Sequence, residues 1–178
     1  MNKQLEISNF QVIYDYKTVV LEAMENTKQK IKQLSNQKEA FDLFHDLRFS
    51  EVGQDPLEKR PLNFVEQLNQ TFTYLASLQA TEYLIKVHPE NIPYILNLGT
   101  SPGFDIVSKD GLVTAEVFAA TSPHSNDKLK KDCIRVADSK GPRHRYVFYY
   151  SPDNRNVDII RDKFLNLKIV QLDLGDIE

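Results

Sequence analysis

The chain is poor in cysteine, in long apolar runs and in net charge. One cysteine, Cys133, among 178 residues excludes an internal disulfide and a cysteine-based zinc cluster. Its expected role is that of a small buried residue on a helix. No apolar run approaches the roughly 20 residues that span a bilayer, so no membrane partner is expected. The first residues, MNKQLEISNF, lack the apolar stretch of a signal peptide. There is no internal repeat and no low-complexity tract. Together these absences lead us to expect a soluble, cytoplasmic protein. The net charge of −3 argues against a chain that attracts nucleic acid over its whole surface.

What is present begins with enough apolar residues, 41%, to bury a sizeable core. Charge is unevenly placed. Between Asp127 and Arg145 lie seven basic residues: Lys128, Lys130, Lys131, Arg135, Lys140, Arg143 and Arg145. Only Asp127, Asp132 and Asp138 oppose them. Such a run is either a solvated helix surface or a contact for a polyanion.

Periodicity divides the chain in two. Gln4 to Tyr16 alternates weakly and reads as a strand. Val19, Val20, Ala23, Met24, Thr27, Ile31 and Leu34 give helical spacing over 18–34. Ser35 is placed to cap a second helix over 38–49. Gly53, Pro56 and Pro61 mark a loop or boundary, so we expect an extension over 1–61 and a core over 62–178. The core opens with a helix over 62–86, ended by Pro89 and Pro93. Strands are expected over 94–98, 104–108 and 112–120, a helix over 126–139, a strand over 145–150, a helix over 153–165 and a strand over 168–172. That order predicts an α/β (α+β) fold, a mixed sheet with a three-stranded meander flanked by helices, plus an N-terminal helical arm.

Asp110-Gly111 is a hairpin signal of the kind that takes positive φ at both central residues. Counting outward, Lys109 pairs with Leu112, Val107 with Thr114, and Asp105 with Glu116. Directly paired residues share a face, with Cβ atoms about 5 Å apart. Two carboxylates so placed repel unless something positive lies between them. Glu116 sits in Ala-Glu-Val-Phe-Ala, where burial demands a metal, a basic partner or a raised pKa. Convergent carboxylates suit Mg²⁺ or Mn²⁺. The competing reading is an ion pair with a lysine or arginine and no metal.

An acid on one strand, a turn, then acid-apolar-X on the next strand resembles the PD-(D/E)XK, or restriction-endonuclease-like, superfamily, and so does the order of elements over 62–172. The resemblance implies Mg²⁺ held by Asp105 and Glu116, a further glutamate from the first core helix (Glu66, with Glu82 the other choice), and hydrolysis of DNA. It also implies a lysine two residues after the second acid, where this chain has Phe118. Lys128 and Lys131 are the nearest replacements in sequence, and Lys128 is the expected catalytic one. The basic run from Lys128 to Arg145 would then follow the nucleic-acid backbone. Two alternatives stand beside this one: a nuclease fold that has lost its chemistry and serves binding, and a regulatory or oligomeric protein. The helices over 18–49 are a candidate homodimer interface.

Overall fold

A computed structural model of the chain describes residues 3–99 and 102–175. It is a mixed α/β structure that divides into two compact units. One runs up to Ile13 and resumes at Ala76; the other is Tyr14–Leu75. The first strand joins the main sheet. No helix among the described residues is long and apolar enough to cross a membrane.

In the first unit a six-stranded sheet is built from β1 (Lys3–Ile7), β4 (Tyr94–Leu98), β5 (Ile106–Ser108), β6 (Val113–Ala119), β7 (His144–Tyr150) and β8 (Lys168–Gln171), in that spatial order. The first four are antiparallel; β6, β7 and β8 run parallel. A parallel step needs a crossover. Helix α4 (Lys128–Ala137) supplies one, and the short α5 (Val157–Arg161) lies on the other.

Both faces are covered, which explains why β6 and β7 are buried along nearly unbroken runs. Phe118, Val147, Tyr149 and Ile169 pack with Leu129, Cys133 and Val136 of α4. On the opposite face Tyr83, from the C-terminal half of helix α3 (Phe64–Val87), meets Tyr146 and Phe148 edge-on, at ring distances of 6.1 and 5.4 Å.

In the second unit, helices α1 (Phe10–Gln37, shared at its start with the first unit) and α2 (Ala40–Phe49) precede a two-stranded ribbon, β2 (Gly53–Gln54) with β3 (Pro61–Leu62). The first half of α3 completes it.

Several local expectations are corrected. The expected strand over 4–16 stops at Ile7, and α1 starts at Phe10 rather than 18. Asn9 is the reason: its Oδ1 accepts the Val12 N–H at 3.1 Å, satisfying one of the donors a helix start leaves open. Ser35 caps nothing; it lies inside α1 and its hydroxyl donates to the Lys32 carbonyl at 2.9 Å. The expected helix over 126–139 begins at Lys128, because Asn126 and Asp127 adopt positive φ. The helix over 153–165 shrinks to five residues, preceded by Asn156 at φ +59° and by Asp153 held to Arg155 N at 3.0 Å. The hairpin register is as expected, with Val107 opposite Thr114 and Ile106 opposite Ala115. Its turn is different. Only Gly111, not Asp110, has positive φ, and Gly111 N donates to Ser108 O at 2.8 Å.

Candidate functional site

The hairpin register carries on from the Ile106–Ala115 pair to bring Asp105 against Glu116 at the edge of the paired region. Here the Asp105 side chain replaces the backbone acceptor. Its Oδ2 takes the Val117 N–H at 2.8 Å. Its own carbonyl accepts the Asn97 N–H at 2.8 Å, and Asn97 Nδ2 donates to Phe104 O at 2.7 Å. Gln4 Nε2 in turn donates to Asn97 Oδ1 at 2.9 Å. A polar row, Gln4–Asn97–Asp105–Glu116, thus crosses the sheet at one level.

Helix α4 lies over this row. Leu129, Cys133 and Val136 face the core, while Lys128, Asp132 and Arg135 (i, i+4, i+7) form the adjoining stripe. Lys128 Nζ bonds Asp132 Oδ1 at 2.7 Å and stands 5.9 Å from the centre of the Phe118 ring. Arg135 Nη1 reaches Glu116 Oε1 at 2.9 Å, its guanidinium donates to the Gly103 carbonyl, and it sits 5.2 Å above Phe104. The Arg135–Glu116 contact is an ion contact off the N–H line: Glu116 Oε1 has no aligned donor, and neither does Asp132 Oδ2.

Three carboxyl groups therefore share a buried site with two cations. Glu116 is 1% exposed and Asp132 4%. Burial, then the charge of Asp105, pushes the Glu116 carboxyl up to about 8; Arg135 and Lys128 pull the other way. Burial raises Asp105 and Asp132 as well, and Lys128 counters it at both. A proton held within the Asp105–Glu116 pair relieves the repulsion between them. This is how two like charges share a small volume.

Of the Asp105–Glu116 pair, Glu116 Oε1 alone is a buried oxygen without an aligned donor, and it lies 2.9 Å from Arg135 Nη1. Two facing carboxylates are the donor type that Mg²⁺ or Mn²⁺ takes, with waters completing the shell. Among the described residues no three histidine, cysteine, aspartate or glutamate side chains are gathered as a ready ligand cage.

The other expected site residues have partners of their own or face solvent. Glu66 is taken up by a reciprocal cap at the start of α3: Asn63 N donates to its Oε2 at 3.3 Å, and its own N–H goes to Asn63 Oδ1 at 2.9 Å. Glu82 pairs with Lys86 at 2.6 Å. Of the basic run, Arg145 closes the end of α4 on Ser139 O at 3.0 Å, and Lys131 holds Asn126 O at 2.9 Å. Lys130, Lys140 and Arg143 are exposed. Cys133 is buried, its thiol pushed up to about 12 by burial. Asp132 and Asn97 were not expected. Asp132 had a signal, four residues after Lys128 on the stripe beside the apolar one; Asn97 had none, since only the sheet register reveals it.

Comparison with family models, with curated proteins and with solved structures returns no match.

Proposed function

We propose that the chain is a metal-dependent phosphodiesterase of DNA with a restriction-endonuclease-like core. The observation that carries this is the Asp105–Glu116 pair with the Lys128 ammonium above Phe118. The resemblance calls for a lysine at position 118; here a lysine from α4 brings its charge to the same face of β6 and acts on both acids. The element order supports the reading too: an antiparallel meander, a helical crossover and a parallel strand follow α3.

Bound Mg²⁺ or Mn²⁺ would supply an acidified water and charge stabilisation at the scissile phosphate. Asp105 and Glu116 would hold the ion. Lys128, freed from Asp132, would orient the attacking water and offset charge on the phosphate. Asn97 and Gln4 would extend the polar row toward the substrate. Exposed Lys130, Lys140 and Arg143 would contact the backbone.

Nicking of supercoiled plasmid with Mg²⁺ or Mn²⁺ tests this. Wild type should nick, and Lys128→Gln should lose about 10²-fold or more in rate while keeping metal binding. Wild-type rate in Lys128→Gln would overturn the role given to the lysine.

A second reading is favoured by one ion pair. Arg135 against Glu116 at 2.9 Å partners the buried carboxyl without any metal, as a catalytically silent binding module would. On that reading no metal binds, and Arg135→Gln destabilises the fold.

A further inference from the structure

Helix α2 is anomalous in its own unit. It spans ten residues and none of them is buried. An isolated helix of that length is marginal in water; helices this short owe their stability to packing of an apolar face. The face α2 packs inward is thin, with Leu43 and Leu47 only half-buried. The face it turns to solvent is aromatic. Phe41, Phe44 and Phe49 are 80%, 72% and 70% exposed. His45 bridges two of them, with ring centres 6.3 Å from Phe41 and 5.2 Å from Phe49. Solitary exposed apolar residues are ordinary; a contiguous aromatic stripe along one helix marks a contact surface.

The same unit carries a receptor of matching character. A groove of about 640 Å³ between α1 and the start of α3 is walled by Leu21, Met24, Ile31, Phe64 and Leu68. Leu68 is 39% exposed. The chain's own α2 rings do not fill it, since they stand in solvent.

We infer that two copies of this chain associate through these surfaces, the aromatic stripe of each α2 seating in the α1–α3 groove of the other. Because knob and hole lie on one unit, a two-fold axis satisfies both contacts at once and closes the assembly. The areas agree. At roughly 200 Å² per phenylalanine ring, the three rings expose about 450 Å² per copy. Covering both sets, together with the smaller area that the groove walls expose, removes on the order of 1,200 Å² in all, at the lower end of the range of stable specific interfaces. Charge along the stripe is balanced, with Asp46 paired to Lys38 at 2.7 Å and Arg48 over the Phe49 ring opposing Asp42, so it presents no charged patch for a polyanion.

Sedimentation equilibrium of the full chain at about 50 µM tests the inference, and it is independent of any nuclease activity. Wild type should sediment as a dimer. Phe41→Gln/Phe44→Gln, which changes only exposed rings, should be monomeric with an unchanged circular dichroism spectrum. Leu68→Lys should be monomeric too. An equimolar mixture of the two variants should regain association, because one knob and one intact groove remain between them. A monomeric wild type, or a dimer that survives the phenylalanine changes, overturns the proposal. A dimer that survives Leu68→Lys overturns the groove as the receptor.

Discussion

At the scale of single residues, Glu116 dominates the electrostatics. Its folded carboxyl lies at about 8 because burial and Asp105 outweigh Arg135 and Lys128. In the unfolded chain it titrates in the ordinary carboxylate range. Below that range both states hold the proton. Between it and pH 8 the unfolded chain has released a proton that the folded chain retains, so stability falls as pH rises through that window and levels off above it. Asp105 and Asp132, raised for the same reason, act with the same sign. Glu116→Gln removes the largest of these effects. Thermal melts from pH 4 to 9 should show a flatter profile for the variant. The variant should gain several degrees over wild type at pH 8, at about 2–4 °C per kcal/mol for a chain of this size, and nothing near pH 4. Parallel profiles would refute the assignment.

At the scale of elements, two glycines separate backbone from packing effects. Gly111 stands at φ +72° with open space around it. Gly111→Ala should cost about 1 kcal/mol through the left-handed backbone alone. Gly53 is different, since a Cβ there would lie 2.3 Å from Gln67 Oε1. That oxygen already accepts from Thr27 Oγ1 at 2.7 Å and from Gln54 N at 3.0 Å, so it has little room to yield. Gly53→Ala should cost more, about 1–3 kcal/mol. Urea denaturation measures both; equal losses would contradict the packing argument.

The same elements show what was legible in advance. The strand over 94–98 and the hairpin register followed from alternation and from Asp110-Gly111, which are local signals. The start of α1 was missed because Asn9 caps it ahead of residues that alternate like a strand. The shortness of α5 was missed because positive φ at Asn156 leaves no periodic trace. In the site, the pairing of Asp105 with Glu116 was readable from the turn. The reach of Lys128, Asp132 and Arg135 over the row depends on how α4 crosses the sheet, which no spacing encodes.

At the scale of the whole molecule, the net charge is −3 while the exposed cations Lys130, Lys140 and Arg143 cluster around α4 and the loop that follows it. On the proposed nuclease reading, binding to DNA through them should weaken with salt. Replacing all three with glutamine should lower the slope of log K against log salt by roughly 0.9 for each phosphate no longer neutralised. An unchanged slope by fluorescence anisotropy would place the nucleic-acid surface elsewhere.

The proposed chemistry depends on the paired carboxylates as a seat for a divalent cation. Calorimetric titration of Mn²⁺ into wild type, Asp105→Asn and Glu116→Gln tests that claim most directly. Saturable heat is predicted in wild type, and its loss in both variants. No heat in wild type, or equal heat in all three proteins, would contradict it.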